Sequence, residues 1–441
     1  MPKKLTQKQI VIVAAVAVVI VVGAVIFFMN LRSNGIASQS LNLTIWGTES
    51  PKAFNDMIAA YTGPGSGSNA EIKYTQIDPA TYRQSLLTAL AAGTGPDIFE
   101  IPNRDLSQWD NLITPVPASL ATTFNAVTLQ NDFPTVVGED FVVNNNVYAL
   151  PLSIDTMAMI YNKDLLDSAH IVTPPRTWTD FDNDIPALRA VNAEGQIAQA
   201  AAAFGGSETS IANASDLIFL LMLQNGTQMT ASDNSTVSFD DGGGAGDGTV
   251  SPGLAAFNFY LQFANAGSPY YTWNDSLGDA EDSFAQGKTA IIFDYASALA
   301  TIKEKSPFLD VGIAPMPQPD NATISINYAK YSGLAVSKNS ASVVGAWSFL
   351  INLTTSLANE NIYTADTGEP PALRAAIQAD LTDPNLAVFA EQALTARSWH
   401  ESNSESFDNT MNTAIQDVLN GSADSTDALT EAQSQMNSAD N

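Results

Sequence analysis

The stretch Leu41-Asn42-Leu43-Thr44-Ile45-Trp46 alternates in character along its length, as a half-buried β-strand does. A short turn follows, and Ser50 and Pro51 then predict a helix start, because Ser caps helix N-termini well and Pro fits the first helical turn. This helix is expected to run to about Tyr61, with its apolar residues on one face. The chain therefore begins its folded part as a strand followed by a helix.

The same alternation continues in the next segments of the chain. A second strand is expected at residues 71–76, a helix at 82–92 and a short buried strand at 97–101. Alternating strands and helices predict an α/β fold in which crossover helices join the strands of a sheet. Ligands of such sheets bind beyond the carboxyl ends of the strands, so the loops after Trp46 and Ile101 are the first candidate site.

The remaining chain mixes both kinds of element. Strands are expected at residues 146–152, 156–161, 289–293, 311–317 and 333–337. Helices are expected from residue 179 and at 215–224, 252–264, 280–286, 342–353, 385–394 and 406–420. Two tryptophans, Trp178 before the first of these helices and Trp347 on an apolar helix face, are interpreted as packing residues.

Length and charge limit the possible functions. The chain has 441 residues, of which 45% are hydrophobic, and this is enough for two globular domains with sizeable cores. It carries 46 acidic and 18 basic residues, a net charge of −28. A protein this acidic repels phosphate backbones, so nucleic-acid binding is not expected. The acidity itself is typical of a well-solvated surface.

The rare residue types exclude several kinds of site. The chain has no Cys, which excludes disulfides, thiolate metal sites and Cys nucleophiles. Its two histidines, His170 and His400, lie outside any metal-ligating motif such as HExxH, and His170 is interpreted as a surface loop residue. No cofactor, metal site or catalytic residue is therefore expected.

The N-terminal segment predicts a membrane anchor. Residues 10–29 contain no charged residue, and at about 1.5 Å per residue this helix would span roughly 30 Å, the thickness of a bilayer core. Lys3, Lys4 and Lys8 precede it, so residues 1–9 are expected in the cytoplasm and the body outside the cell membrane, beyond a linker at 30–40. The alternative is a cleaved signal peptide, with a mature chain that starts at Ser38.

Several motifs together resemble one protein family. In chain order they are Leu43-Thr44-Ile45-Trp46, Gly95-Pro96-Asp97-Ile98, Tyr148-Ala149-Leu150-Pro151, Ile160-Tyr161-Asn162-Lys163-Asp164-Leu165-Leu166, Pro175-Arg176-Thr177-Trp178, Phe284-Ala285-Gln286-Gly287-Lys288-Thr289-Ala290 and Tyr331-Ser332-Gly333-Leu334-Ala335-Val336-Ser337. Their order resembles the family 1 extracellular solute-binding proteins of ABC importers, of the maltose-binding-protein type. The resemblance covers about residues 41–419.

The resemblance implies a periplasmic-binding-protein fold, with two α/β lobes that close on a ligand about a hinge. Crossings between the lobes are expected near residues 152–156, 314–319 and 366–371. The first lobe is expected to hold 41–151 and 320–365, and the second 153–316 and 370–441. Bacterial members of the family often carry a lipid on an N-terminal Cys; this chain has none, so the predicted helix would be the tether.

The resemblance also implies a monomer that captures a sugar-like solute and delivers it to ABC permease subunits. Sugar rings stack on aromatic side chains, and their hydroxyls bond to Asp, Glu, Asn and Arg. The candidate ligand-binding residues are Trp46, Thr48, Glu49, Asn103, Arg104, Asp155, Glu208, Trp273, Asp294, Tyr295, Ser297, Tyr331, Ser332, Gly333, Trp399 and Phe407.

Other functions stay open at this stage. A glycan-active enzyme with paired carboxylates would fit the many acidic residues, although no spacing singles out a pair. An adhesion or signalling module could use the same fold. The acids Glu49, Asp155 and Asp294 disfavour an anionic ligand and leave a polyamine-like cation possible. The acidic, Gly-rich segment at 240–248 is interpreted as a loop, since its spacing is not that of an EF-hand calcium site.

Overall fold

The computed structural model describes residues 41–63, 70–231, 236–241 and 250–439. The predicted cytoplasmic segment 1–9, anchor 10–29 and linker 30–40 lie outside the described residues, as does most of the Gly-rich segment at 240–248. Within the described ranges, no helix combines the length and the apolar character needed to cross a bilayer.

Strands and helices alternate along most of the described chain. The strands are β1 (Leu41–Gly47), β2 (Ala70–Gln76), β3 (Ile98–Pro102), β4 (Ile113–Thr114), β5 (Val142–Val143), β6 (Asn146–Val147), β7 (Ala149–Pro151), β8 (Asp155–Thr156), β9 (Ala158–Asn162), β10 (Ala190–Val191), β11 (Ile197–Ala202), β12 (Thr289–Asp294), β13 (Val311–Ala314), β14 (Asn327–Lys330), β15 (Ser332–Ser337) and β16 (Ala396–Arg397).

Helices follow most of the longer strands along the chain. They are α1 (Pro51–Thr62), α2 (Pro79–Ala91), α3 (Leu106–Trp109), α4 (Ala126–Asp132), α5 (Thr135–Phe141), α6 (Lys163–Ser168), α7 (Trp178–Leu188), α8 (Ala214–Gln224), α9 (Pro252–Leu261), α10 (Ala280–Ala285), α11 (Ala298–Lys305), α12 (Val343–Thr354), α13 (Leu357–Thr367), α14 (Arg374–Asp380), α15 (Ala387–Ala393), α16 (Ser404–Leu419) and α17 (Ser425–Ala439).

The first lobe is built on a six-stranded sheet with the order β2–β1–β3–β15–β4, in which β7 also pairs with β15. The predicted alternation from β1 to β3 is confirmed: these strands are parallel, and α1 and α2 connect them. Helix α1 begins where predicted, because Ser50 caps the amide of Lys52. Helix α2 begins earlier than expected, at Pro79, because the side chain of Asp78 caps it. Each cap is worth about 1 kcal/mol.

The second lobe is built on a five-stranded sheet with the order β10–β11–β12–β9–β13. An aromatic cluster packs in its core, where Trp178 lies 5.5 Å from Phe204 and 5.6 Å from Phe181 between ring centroids. The predicted packing role of Trp178 is confirmed, and Trp347 is likewise buried in the core of the first lobe. His170 is exposed at the end of α6, as expected.

Two predicted strands are each divided in two. The strand expected at 146–152 breaks at Tyr148 into β6 and β7, which pair with different strands. The strand expected at 156–161 breaks at Met157 into β8 and β9, because β8 pairs with β14 in a separate three-stranded sheet. Both corrections have the same reason: the chain changes partners within an apolar run, and the composition of the run does not mark the change.

The small sheet β16–β14–β8 lies at the junction of the lobes. At this junction the amide of Ile154 donates to the carbonyl of Pro370 at 3.2 Å. The buried side chain of Gln392 accepts from the amide of Met316 at 3.0 Å and donates to the carbonyl of Met157 at 3.0 Å. Gln392 also donates to the hydroxyl of Thr156 at 3.2 Å. The three segments in which crossings were expected are therefore joined to one another, directly or through Gln392.

The packing of the C-terminal segment differs from the expected lobe assignment. The core of the first lobe includes apolar residues from this segment, although the second lobe was expected to hold everything from 370. They are Ala372, Leu373, Ala376, Ile377, Ala390, Ala393 and Ala396. After Tyr328, the next residue that is buried in the core of the second lobe is Trp399. The reason is that α14 packs against α13, which belongs to the first lobe.

Candidate functional site

A cavity of about 970 Å³ lies between the lobes, and residues from both of them line it. Both loops singled out by the sequence face it: Glu49 follows β1, and Asn103 and Arg104 follow β3. On the other side, Asp155 in β8 and Tyr295 after β12 face the same space. The cavity thus lies beyond the carboxyl ends of strands, where α/β sheets bind ligands.

Ten of the sixteen candidate residues line this cavity. They are Glu49, Asn103, Arg104, Asp155, Glu208, Asp294, Tyr295, Ser297, Tyr331 and Ser332. The other six lie outside its lining. They are Trp46, Thr48, Trp273, Gly333, Trp399 and Phe407.

Packing explains why four of these six do not reach the cavity. The indole of Trp273 is fully buried in the second core and donates its N–H to Ser210 at 3.0 Å. Trp399 and Phe407 pack on each other in the same core, with ring centroids 5.6 Å apart. Gly333 lies against the ring of Phe141, so its lack of a side chain serves packing within the first lobe.

The remaining two lie close to the cavity. Trp46 is partly buried against the first core. Thr48 holds a cavity residue in place: its amide and hydroxyl donate to Glu100 Oε2 at 2.8 and 3.0 Å. Thr48 therefore acts on the cavity through Glu100.

Several charged residues of the lining were missed by the sequence reasoning. They include Glu100, Lys330, Glu369, Glu405 and Asp408. The sequence could have indicated Glu100, because it is the one charged residue in the otherwise apolar stretch of β3. Asp408 had no such signal, since it lies on the polar helix α16, far along the chain from the other residues.

At one end of the cavity lies a cluster of paired charges, which we call the arginine network: Arg104, Asp216, Lys330, Glu401 and Asp408. Arg104, with a side chain only 3% exposed, contacts Glu401 at 2.9 Å, Asp408 at 2.9 Å and Asp216 at 3.5 Å. Lys330 reaches the other oxygen of Asp216 at 2.9 Å. The network connects the loop after β3 in the first lobe with α8 and the C-terminal segment of the second.

The carboxyl groups of the network differ in the direction of their pKa shifts. Burial alone would raise the pKa of Asp216, but the charges of Lys330 and Arg104 and two hydrogen bonds lower it below its ordinary value. Burial raises the pKa of Glu401 above its ordinary range in spite of Arg104, because Asp408 and Asp216 share the same guanidinium. The network is thus one cation short of full pairing.

Elsewhere on the cavity wall lies a cluster without cations, which we call the acidic end: Glu49, Glu100, Asp155 and Glu369. In the described chain, none of these four forms an ion pair with Lys or Arg. Asp155 accepts from the amides of Ala296 at 3.0 Å and Ser297 at 3.3 Å. The hydroxyl of Tyr363 donates to Glu369 at 3.0 Å.

Burial and mutual repulsion weaken ionisation at the acidic end. The pKa of Glu49 is raised to about 8, first by burial and then by the charges of Glu369 and Glu100. Burial raises the pKa of Asp155 to about 8 and that of Glu100 to about 7. In the part of the chain that the structure describes, no three His, Asp or Glu side chains are grouped so that they could hold a metal ion.

A buried carboxyl behind the cavity wall positions two lining residues. Asp140 accepts from the amide nitrogen of Asn103 at 3.0 Å and from the hydroxyl of Tyr331 at 2.6 Å. The side-chain oxygen of Asn103 in turn accepts from the amide of Tyr331 at 3.2 Å. Burial raises the pKa of Asp140 to about 7. These bonds fix Asn103 and Tyr331 in one arrangement, so this part of the wall is preformed.

A large polar cavity shared by two α/β lobes is the architecture of a two-lobed binding protein. Residues 46–359, most of the chain, match the family described as bacterial extracellular solute-binding proteins. The chain belongs to this family.

The relatives of this solute-binding protein are distant in sequence and similar in fold. Binding proteins of Brucella abortus and Brucella suis are 26% identical over 274 residues, and the match spans 60% of this chain and 60% of theirs. The multiple sugar-binding protein of Streptococcus mutans is 22% identical over 302 residues, which is 68% of this chain and 67% of that one.

A solved structure extends the similarity to nearly the whole fold. The cyclic alpha-maltosyl-1,6-maltose binding protein of Arthrobacter globiformis superposes with a TM-score of 0.72 at 18% identity, covering 91% of this chain and 99% of that one. The two-lobed periplasmic-binding-protein fold is therefore confirmed.

Proposed function

We propose that this solute-binding protein captures a saccharide between its two lobes and delivers it to an ABC importer, without catalysis. The observation that carries the proposal is the cavity of about 970 Å³ that both lobes line, since closure of the lobes would then enclose a ligand. The name of the Streptococcus mutans relative, a multiple sugar-binding protein, supports the saccharide class.

The lining suits a sugar in both its polar and its apolar parts. Four aromatic side chains, Phe54, Tyr295, Tyr331 and Tyr363, contribute apolar atoms to the lining, against which C–H groups of a sugar can pack. Carboxylates and amides from both lobes offer partners to the hydroxyls. The ten candidate residues that line the cavity are proposed to contact the ligand.

The sequence supports a membrane setting for this function. Residues 10–29 are proposed to anchor a monomer in the cell membrane as a single helix, with the N-terminus in the cytoplasm and the lobes outside. Permease subunits of the importer are the proposed protein partners. N-terminal sequencing of the mature protein tests the anchor, and a chain that starts at Ser38 would contradict it.

Thermal unfolding of the full chain with a panel of neutral and amino saccharides tests the capture function. At a ligand concentration of about 100 times Kd, a specific saccharide should stabilise the chain by about 2.7 kcal/mol. Ser332→Trp places a large ring into the cavity from an exposed position and should abolish the shift. Val172→Trp, at a site 92% exposed and outside the cavity, should leave it unchanged. An absence of any shift across the panel would contradict the proposal.

A further inference from the structure

The charge of the cavity wall is strongly unbalanced. Among the described residues, nine carboxylates line the cavity and only two cations, Arg104 and Lys330, face it. Both cations are already engaged: Arg104 pairs with three carboxylates and Lys330 with Asp216. A neutral ligand would leave most of these carboxyl groups without a cation partner inside the closed cleft.

General acidity of the protein does not account for this feature. Most carboxylates of an acidic protein lie on the surface, where water solvates them at little cost. At the acidic end, Glu100 is 6% exposed and Asp155 is 8% exposed. Burial of an ionised carboxylate without a cation is strongly unfavourable. A buried carboxylate that has no cation partner and lines a binding cavity therefore indicates a positively charged ligand.

The local geometry of Glu100 supports the binding of a ligand group to its carboxyl group. Its Oε2 accepts both bonds from Thr48, whereas no donor of the described chain reaches Oε1. The Cα of Gly47 lies directly beside Oε1, and a side chain at that position would overlap it. Glu49 and Glu369 line the same cavity, and the charge of Glu369 adds to burial in raising the pKa of Glu49.

We propose that the captured saccharide carries a protonated amino group, which binds at the acidic end against Glu49, Glu100, Asp155 and Glu369. This inference rests on the proposed function and specifies its ligand class. The ammonium group supplies N–H donors to the oxygens of the acidic end and neutralises part of the excess charge. The ring and its hydroxyls extend towards Asn103 and Tyr331, which Asp140 holds in place.

The raised pKa values agree with this geometry. Without a ligand, Glu49 and Asp155 hold their protons near neutral pH, because burial raises both pKa values to about 8. The other charged groups around them are Glu100, Glu369 and Asp294, all of which oppose ionisation. A cation that binds here lowers these pKa values, so binding releases protons.

Calorimetric titration of the full chain tests the inference. The probes are amino saccharides of one to three rings in the gluco, galacto and manno configurations, each paired with its N-acetylated and its hydroxyl counterpart. The titrations are made at about pH 6.5, where the amine is protonated. The best amino saccharide should bind at least about tenfold more tightly than its two neutral counterparts, and heats in two buffers should reveal proton release.

Variants separate a direct role from a structural one. Glu369→Gln should weaken the amino saccharide about tenfold or more and change the neutral counterparts less than about twofold, because only the charge is removed. Glu71→Gln, exposed on β2 and outside the cavity, should change neither. Equal losses for charged and neutral saccharides in Glu369→Gln would overturn the inference.

The outcomes distinguish this inference from the function on which it rests. Neutral saccharides that bind as tightly as their amino counterparts would overturn the inference and leave saccharide capture intact. Spermidine, a polyamine without a ring, serves as a further probe, and tighter binding of spermidine than of every saccharide would overturn both. Heats and thermal shifts that are absent for every saccharide would likewise contradict the proposed function itself.

Discussion

In the arginine network, three carboxylates share Arg104 and Lys330, whereas at the acidic end four carboxylates face one another without a Lys or Arg partner in the described chain. Both clusters adjoin the same cavity and both are largely buried. Yet the pKa of Asp216 in the network is lowered, and that of Glu49 at the acidic end is raised to about 8. At Asp216 the neighbouring cations outweigh burial, whereas burial decides the sign at Glu49 and also at Glu401, which shares Arg104 with two other carboxyl groups.

The difference shows what each cluster does for the molecule. The arginine network holds the first lobe to the second, because its members come from both lobes and form ion pairs with one another. The acidic end contains no cation to balance its carboxyl groups, and it destabilises the folded chain when these groups ionise. A feature that lowers stability and lies on a binding cavity is typical of a functional site. Three variants test this contrast.

Removal of the central cation of the network should have the largest effect. Arg104→Gln leaves Asp216, Glu401 and Asp408 without their shared partner, and loss of one member of a buried ion pair costs about 3–5 kcal/mol. Urea unfolding at neutral pH measures the loss. The matched control is Arg397→Gln, whose pair with Glu139 is exposed and should cost at most about 1 kcal/mol. Equal losses in the two variants would contradict the structural role of the network.

Removal of a charge from the acidic end should have the opposite sign. A carboxyl whose folded pKa is raised favours folding below its unfolded pKa of about 4.5, and this contribution is lost as the pH rises through about 8. Glu49→Gln should therefore stabilise the ligand-free chain by about 2 kcal/mol at pH 8 and by little at pH 4.

Thermal unfolding across this pH range measures the effect of Glu49→Gln. The exposed Glu71→Gln serves as its control and should leave the pH dependence as it is in the unaltered chain. A Glu49→Gln chain that is less stable at pH 8 would show that the acidic end stabilises the fold, contrary to the comparison.

A backbone change next to the acidic end should destabilise the fold by an amount similar to the gain in Glu49→Gln. In Gly47→Ala the new methyl group would overlap Glu100 Oε1 and lie 2.8 Å from the Tyr74 hydroxyl, so a loss of roughly 1–3 kcal/mol is expected. Gly138→Ala in α5 is the control, because its nearest neighbours would lie at 3.6 Å and Ala favours a helix. Chemical denaturation of both variants measures the difference, and a neutral Gly47→Ala would mean that Glu100 moves freely.

The sequence predicted those parts of the fold that have local signals. Ser50 and Pro51 marked the start of α1, and the apolar run at 289–293 marked β12. The sequence did not predict β11 or α17, and the reasons for the two elements differ. Strand β11 has the sequence IAQAAA, and Ala does not indicate a strand. Helix α17 is mostly polar, and only a few of its residues, such as Leu429 and Met436, are buried against the second core.

The site was predictable where it follows strand ends and not where it depends on distant parts of the chain. Glu49, Asn103 and Arg104 could be located because they directly follow strands of a parallel sheet. Glu369 and Asp408 could not, because they reach the cavity only through the return of the C-terminal segment to both lobes. Trp273 and Trp399 were expected at the cavity as aromatic residues, and they are core residues instead. Composition alone does not separate these two uses of an aromatic ring.

A crystal structure of the full chain with the saccharide that gives the largest thermal shift tests the central claim most directly. The account predicts that the saccharide lies in the cavity between the lobes and touches residues of both, with an amino group within hydrogen-bonding distance of Glu49 or Glu369. A saccharide bound outside this cavity, or on one lobe alone, would contradict the account.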